Sequence, residues 1–144
     1  MEDIKEFIVM RTIKFRGKRN HSEEWHYGHY TQGAFFHPAS EEGTVRHLIH
    51  ADMLYDVNPA TVGQFTGLYD KDGKEIYEGD IIISEELKHT CHYVRYMESE
   101  AMFVAMIIGS PLEEYCGIRQ SWIDKFSKKI IGNIHDNPEL LTNK

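Results

Sequence analysis

Polar and hydrophobic residues alternate with a period of two over several short stretches of the chain. Between residues 11 and 18, Ile13 and Phe15 fall on one side of an extended backbone and polar or basic residues fall on the other. Aromatic residues alternate in the same way over residues 25–30, and a third alternation over residues 53–57 ends at a proline. A period of two is typical of half-buried β-strands, and proline blocks further ladder pairing. The first part of the chain therefore predicts three strands.

The clearest local signal is a hairpin in the middle of the chain. Residues 64–69 and 76–77 are two short apolar runs, and Asp72 and Gly73 lie between them. An Asp-Gly pair favours a tight turn, because the turn needs a positive φ that glycine adopts at little cost. Asp70 and Asp72 are assigned to this turn and not to a calcium loop, since an EF-hand register would place Gly79 at an acidic ligand position.

Helical periodicity is scarce in the rest of the chain. Ser121 is expected to cap one short helix that runs through Phe126, with Asp124 in the first turn, where the helix dipole favours an acid. Further strands are predicted over residues 81–83, 87–96, 102–108 and 128–134. So many short strands with close turns indicate a mainly β protein, made of small barrels or sandwiches, with at most one or two short helices.

Charge and targeting signals narrow the class of protein. The chain has 144 residues, and 16 Lys and Arg stand against 23 Asp and Glu, for a net charge of −7. We therefore do not expect a protein held to DNA by overall positive charge. The acidic first residues do not resemble a signal peptide, and no apolar run approaches the length of about 20 residues that spans a membrane. Cys91 and Cys116 form no disulfide framework. These features predict a cytoplasmic protein with reduced thiols and no membrane association.

Nine histidines raise the question of a metal site. A strand does not bring His47 and His50 together, and on another predicted strand His89 and Cys91 share one face while His92 lies on the other. Zinc needs three or four converging ligands, and no spacing in the chain matches such a set. We expect no metal and no other cofactor. A metal-dependent hydrolase that uses His89, Cys91 and some of the other histidines is kept as an alternative hypothesis.

Motifs of catalysis are also missing from the sequence. There is no nucleophile elbow, no phosphate-binding loop and no dinucleotide fingerprint. The paired acidic residues lie in predicted turns, where adjacent side chains point apart and are solvated. No catalytic residue is predicted, and we do not expect an enzyme.

One local feature runs against the acidic balance of the chain. Five basic residues fall within nine positions that contain no acid: Arg11, Lys14, Arg16, Lys18 and Arg19. On a strand, Lys14, Arg16 and Lys18 share a face, and aromatic residues follow closely. Such a stripe suits contacts with phosphates, so a nucleic-acid-binding module is a second hypothesis. We favour the other interpretation, an edge strand that its charges protect from aggregation.

Residues 61–82, TVGQFTGLYDKDGKEIYEGDII, resemble the signature block of the YopX family of phage and prophage proteins. Residues 10–16 and 131–141 resemble the usual N-terminus and C-terminus of that family, whereas residues 84–120 show no family signature. The resemblance implies a mainly β fold, a phage or integrated-prophage origin and self-association. It implies no activity and carries over no catalytic residue, because the function of the family is uncharacterised.

The resemblance also suggests how the chain is divided. Residues 1–9 form an N-terminal extension before the usual start of the family, so Met10 is an alternative initiation site. Residues 10–58 are predicted to form one β-unit, residues 59–75 a connecting segment and hairpin, and residues 76–141 a second unit similar to an SH3-like barrel. The leading hypothesis is a non-enzymatic binding or assembly module that forms a homo-oligomer and contacts a phage or host protein.

The signature block itself is predicted to serve architecture and to form no active site. Its structural residues are Gly67, Gly73, Gly79 and Asp80. Gly73 is expected to have a positive φ at the hairpin tip, and the Asp80 carboxylate to accept a hydrogen bond from a nearby backbone N–H. The predicted core residues are Phe65, Leu68, Ile76, Ile81 and Ile83. On this basis Gly73→Val should lower stability more than Asp80→Ala.

Overall fold

A computed structural model describes residues 10–35 and 44–142 of the chain. The predicted N-terminal extension, residues 1–9, lies outside this part. Antiparallel strands and one short helix, joined by turns and single 3-10 turns, make up the fold, so the prediction of a mainly β protein is confirmed. The elements are β1 (Phe15–Lys18), β2 (Trp25–Phe35), β3 (Thr44–His50), β4 (Leu54–Asp56), β5 (Gly63–Tyr69), β6 (Glu75–Tyr77), β7 (Asp80–Ser84), β8 (Cys91–Met97), β9 (Met102–Ile107), β10 (Tyr115–Gly117), α1 (Gln120–Lys125) and β11 (Lys128–Asn133).

The first sheet has six strands in the order β4-β3-β2-β1-β5-β6. Strand β1 lies in its interior, with Arg16 opposite Tyr27 of β2 on one side and opposite Gly63 of β5 on the other. The prediction that the basic residues protect an edge strand is therefore wrong. Local charge pattern cannot reveal this, because the β5 partner lies more than forty residues along the chain. Strand β5 lies within the predicted connecting segment, residues 59–75, and belongs to this sheet.

The second sheet has five strands in the order β10-β9-β8-β7-β11. Strands β7 to β10 follow each other as neighbours, and β11 returns to pair with β7, with a register shift between Ile130 and Gly132. In the described residues no pairing joins β10 to β11, so this sheet is not closed into a barrel.

Helix α1 begins at Gln120, one residue before the predicted cap, and Ser121 lies inside it. Arg119 occupies the N-cap position without a side-chain cap, so the prediction of a serine cap is wrong. The reason is a tertiary contact, since the Gln120 side chain exchanges two hydrogen bonds with the backbone of Tyr69 on β5, at 3.0 and 2.9 Å. The helix is also far too short to cross a membrane, and no other helix in residues 10–35 and 44–142 has the length and apolar character to do so.

The core lies where the end of the first sheet packs against the second sheet and α1. Ile76 of β6 is fully buried in a cluster with residues of the second sheet, of the helix and of the loop between β10 and α1, which are Ile82, Val94, Ile118, Ile123 and Ile130. Of the predicted core residues, Phe65, Ile76 and Ile81 are buried, while Leu68 and Ile83 are half-buried. Burial of these hydrophobic side chains makes the largest contribution to the free energy that holds the two sheets together.

Candidate functional site: a cleft between the two sheets

A cleft of about 340 Å³ opens where the first sheet faces β11 and the start of β7. Its walls include Arg16, Trp25, Tyr27, Tyr77, Asp80 and Asp136. Ligand sites in proteins span roughly 300–1,000 Å³. The cleft therefore has room for one small molecule or for one side chain of a partner.

Arg16 lies at the base of this cleft and is only 6% exposed. Its Nη2 atom is 2.8 Å from Asp80 Oδ1 and donates a hydrogen bond to the carbonyl oxygen of Glu78 at 3.2 Å. The guanidinium carbon lies 4.7 Å from the centre of the Trp25 ring and 5.0 Å from that of the Tyr77 ring. Arg16 is thus held between two aromatic rings by an ion pair that joins the two sheets.

Asp80 is the buried partner of Arg16 and is 2% exposed. Besides the ion pair, its Oδ2 atom accepts a hydrogen bond from the backbone N–H of Tyr77 at 2.8 Å. The sequence predicted that a nearby backbone N–H would donate to this carboxylate, without identifying the donor. Burial raises the pKa of the Asp80 carboxyl, although Arg16 and the Tyr77 N–H oppose this effect. Both carboxylate oxygens have partners, so Asp80 holds the cleft together and offers little to a ligand.

Two residues that line the cleft each contain a buried polar atom without a partner. Arg16 Nε and Tyr77 Oη are buried, and neither forms a hydrogen bond within the described part of the chain. Burial is the main cause, and the nearby Glu75 carboxylate the second, of a pKa of Tyr77 above its usual range. The hydroxyl therefore stays protonated and can donate a hydrogen bond. Buried polar groups in native proteins are nearly always paired, and these two require an explanation.

Trp25 is fixed at the rim of the cleft by Asp136. Asp136 accepts hydrogen bonds from Trp25 Nε1 at 2.8 Å and from Asn133 Nδ2 at 3.0 Å, and it forms an ion pair with Lys18 at 2.7 Å. Partial burial opposes the charged form of Asp136, but the hydrogen bonds from Lys18, Asn133 and Trp25 outweigh it and lower its pKa to about 2. The indole ring is therefore oriented before any ligand binds.

Three of the predicted basic residues lie in or directly before β1, and each forms an ion pair with a carboxylate of the protein. Lys14 pairs with Glu75, Arg16 with Asp80, and Lys18 with both Glu23 and Asp136. Their charges are met by carboxylates of the protein itself. Arg19 is exposed and lies 3.7 Å from Glu24, and Arg11 is exposed beside a separate hollow. The nucleic-acid hypothesis stays a prediction, and Arg11 and Arg19 are the residues left to carry it.

The signature block joins the two sheets by a reciprocal pair of aspartates. Asp70 follows β5 in the first sheet, and its Oδ2 accepts a hydrogen bond from the Ile130 N–H of β11 at 3.1 Å, while Oδ1 accepts from two N–H groups of its own turn. Asp80, which begins β7 of the second sheet, binds the Tyr77 N–H of β6 in the first. Each carboxylate thereby satisfies an N–H group on the outer edge of a strand in the other sheet. Sequence reasoning assigned Asp70 to the turn alone and missed its contact with β11, for which the sequence holds no local signal.

The glycines of the block adopt the backbone that the turns require. Gly67, Gly73 and Gly79 have φ values of +84°, +79° and +87°. At Gly73 an added Cβ would meet no atom within 4 Å, so the need for glycine at the hairpin tip comes from the backbone alone. The prediction of a positive φ at Gly73 is confirmed.

The predicted metal ligands do not converge in the structure. In the described ranges, 10–35 and 44–142, no group of three or more His, Cys, Asp or Glu residues is placed to hold a metal ion. Burial raises the pKa of the Cys91 thiol, which makes it a poorer nucleophile. The hydrolase hypothesis gains no support from this geometry.

A second polar group inside the fold was not foreseen from the sequence. His92 is buried with Trp122 of α1 in edge contact at 5.3 Å, and its Nδ1 has no partner among the described residues. The pKa of His92 is lowered to about 4, mainly by burial and secondly by the charge of Lys128. Lys128 is itself buried with its Nζ 4.3 Å from the centre of the Trp122 ring, and burial lowers its pKa as well. His92 and Lys128 are both buried, so we treat this group as part of the core.

Comparison with known proteins agrees with the signature block. The sequence profile of the family described as YopX protein matches residues 3–142, nearly the whole chain. The chain belongs to the YopX family. The match includes residues 84–120, where no signature of the family was recognised from the sequence. No curated protein matches the chain.

A solved structure shares the fold of this YopX family member. The crystal structure of protein EF1440 from Enterococcus faecalis is similar to it with a TM-score of 0.56 and 24% sequence identity. The similarity covers 92% of this chain and 100% of the other. At that level of identity the likeness concerns the fold, and it assigns no activity to either protein.

Proposed function

We propose that this member of the YopX family is a non-enzymatic binding module of phage or prophage origin, which acts in the cytoplasm of the bacterial host. Its binding site is the cleft between the two sheets. One observation carries this proposal: an open cleft of about 340 Å³ has the half-exposed ring of Tyr27 in its wall, beside a Trp25 ring that Asp136 holds in place. A ligand or a partner side chain seated there would contact these rings, which are in place before it binds.

The arrangement favours binding over catalysis. The acids of the cleft, Glu75, Asp80 and Asp136, are each paired with a lysine or arginine, so none is a free general base. The Tyr77 hydroxyl is held protonated by burial, which suits a hydrogen-bond donor better than a nucleophile. Rigid aromatic walls and fixed ion pairs describe a preorganised receptor.

Binding at the cleft can be tested by NMR on ¹⁵N-labelled protein. A set of small neutral amides, carboxylic acids and aromatic alcohols is added singly at millimolar concentration. We expect one or more compounds to shift the Arg16 Nε–Hε and Trp25 Nε1–Hε1 resonances, because both residues line the cleft. If the folded protein shows no shift of either resonance with any compound, the cleft is not a binding site and the proposal fails.

Self-association is a further part of the proposal. Strands β4 and β6 bound the first sheet and β10 and β11 bound the second, and outer strands of short sheets are surfaces that a symmetric partner covers. Tyr115 on β10 and Leu112 just before it are exposed apolar side chains at one such edge. Light scattering coupled to size-exclusion chromatography at micromolar concentration should give a mass above 16.8 kDa. A monomer would count against self-association and leave the binding proposal intact.

A further inference from the structure

We propose that the protein self-associates through β10, which pairs antiparallel with β10 of a second copy so that Cys116 of one chain lies opposite Cys116 of the other. This inference rests on the self-association part of the proposed function, because it names the strand, its partner and their register. The surface is separate from the cleft between the two sheets, so binding at the cleft and pairing through β10 can be tested independently.

The outer edge of β10 has backbone groups that are free to pair with another strand. Tyr115 lies opposite Met106 of β9, and the Ile107 N–H donates a hydrogen bond to the Glu114 carbonyl oxygen at 2.9 Å. Hydrogen bonds alternate along an antiparallel ladder, so the N–H and C=O groups of Tyr115 and Gly117 point away from β9. Within residues 10–35 and 44–142 these four groups have no hydrogen-bond partner.

The other outer strands are covered at the corresponding positions by groups of the protein itself. Two carboxylates of the signature block bind outward N–H groups of β6 and β11. The Lys71 N–H donates to the Lys128 carbonyl oxygen on the outer edge of β11 at 2.9 Å, and the Asn20 N–H donates to the Asp56 carbonyl oxygen on the outer edge of β4 at 3.1 Å. Uncovered strand edges are the places where another chain adds a strand, and among the described residues β10 has no such cover.

The residues at the two ends of β10 favour a second copy as the partner. With Cys116 opposite Cys116, Glu113 of each chain comes level with Arg119 of the other, just outside the ladder. Glu113 and Arg119 are both exposed, and neither has an ion-pair partner in the described ranges. The two-fold symmetry of such a dimer forms this ion pair twice, so the strand is complementary in charge to itself.

The same charges select one register among those that the backbone allows. Outward groups of both strands also meet if the axis passes through Tyr115 or through Gly117. The first of these places Glu113 opposite Gly117, and the second places Arg119 opposite Tyr115, so both leave the charges unpaired. The register centred on Cys116 therefore satisfies the backbone and the charges together.

Tyr115 and Gly117 also fit each other across this axis. Tyr115 is 45% exposed, and in the paired strands it lies opposite Gly117 of the second copy. A Cβ on Gly117 would lie 2.9 Å from Met102 Cε, so this methionine already covers the glycine on that face. Met102 is 36% exposed and can pack against the incoming tyrosine ring. Aromatic side chains opposite an edge glycine stabilise strand pairing.

The first test is the mass of the full chain in a dilution series, measured by sedimentation velocity. We expect the wild type to reach twice 16.8 kDa at high micromolar concentration. Tyr115→Pro removes an N–H that the single chain does not use, and proline is tolerated where a strand N–H faces solvent. The variant should keep its circular dichroism spectrum and associate at least about tenfold more weakly than Tyr115→Val, which keeps the N–H.

The second test is charge reversal. Glu113→Arg or Arg119→Glu alone brings like charges together at both ends of the paired strands, so we expect the dissociation constant of the dimer to rise about tenfold. The two substitutions in one chain restore opposite charges and should return the dissociation constant to near the wild-type value. Glu98→Arg, at an exposed glutamate in the turn between β8 and β9, is the matched control and should change nothing.

Three results would overturn the inference. One is a wild-type protein that stays a monomer at high micromolar concentration, which would also remove self-association but would leave ligand binding at the cleft to its own NMR test. Another is an assembly that neither Tyr115→Pro nor the single charge variants weaken, since self-association would then use another surface. The third is a combined charge variant that associates no more tightly than the single ones. If Tyr115→Pro does not fold, the charge variants at exposed positions decide the question.

Discussion

Removal of the Asp80 carboxylate should be the most damaging small change in the signature block. In Asp80→Ala the Arg16 guanidinium stays buried between Trp25 and Tyr77 without its counter-ion. The Tyr77 N–H on the outer edge of β6 also loses its acceptor. Both losses fall on the contact between the two sheets, so they act on the whole fold and not on one turn.

The size of the effect follows from burial. Breaking a buried ion pair by removing one partner costs about 3–5 kcal/mol, because the remaining charge is left uncompensated. Domains are stable by only about 5–15 kcal/mol, so Asp80→Ala should lose a large share of the free energy of unfolding. Gly73→Val meets no atom within 4 Å, and the left-handed backbone costs a residue with a Cβ about 1–2 kcal/mol. The structure therefore reverses the order of the two variants expected from the sequence.

Urea unfolding followed by circular dichroism measures both variants on one scale. Asp72→Ala is the matched control, because Asp72 is an exposed carboxylate of the same hairpin and should change stability by less than about 0.5 kcal/mol. Adding Arg16→Met to Asp80→Ala removes the stranded charge, and we expect the double variant to regain part of the lost stability.

Two outcomes would refute this reasoning. One is an Asp80→Ala variant that loses less free energy of unfolding than Gly73→Val, since the ion pair would then contribute little. The other is a double variant less stable than Asp80→Ala, which would show that Arg16 stabilises the fold through its aromatic contacts even without Asp80.

Two further predictions concern the second sheet. His92 has a pKa of about 4 in the fold and about 6.5 when unfolded, so the unfolded state takes up the proton first and stability falls as the pH drops between these values. From about pH 7 to about pH 5 the loss should reach about 2 kcal/mol in urea titrations, and His92→Gln should abolish most of it. A Cβ on Gly132 would lie 2.3 Å from Asn137 Oδ1, which accepts a hydrogen bond from the Asn133 N–H. Gly132→Ala should therefore cost about 1–3 kcal/mol by thermal unfolding, and adding Asn137→Ala should recover part of that loss.

Local patterns were sufficient for much of the secondary structure. The alternation around Phe15 and the aromatic run from Trp25 predicted strands that the structure contains, although β1 is shorter and β2 longer than expected. The Asp-Gly signal placed the hairpin and the positive φ of Gly73. These features depend on neighbours within a few residues, which is the range over which side-chain period and turn chemistry act.

The candidate site could not be predicted in the same way. Lys14, Arg16 and Lys18 were expected to share a face, but the carboxylate that pairs with each of them could not be identified from local pattern. Two residues of the cleft, Tyr77 and Asp136, were not singled out as binding residues at all. An acid 64 positions away neutralises Arg16, and no pattern of local period or spacing encodes such a pairing.

The amino-acid sequence alone determined the β character of the chain, the positions of its turns and its membership of the YopX family, because these depend on short-range periodicity and on a contiguous signature block. The tertiary structure decided that β1 is an interior strand, that Asp70 and Asp80 tie each sheet to the other, and that Arg16 Nε and Tyr77 Oη are buried without partners. Burial and long-range pairing are properties of the assembled sheets, since solvent is excluded from these groups only when strands distant in the chain come together.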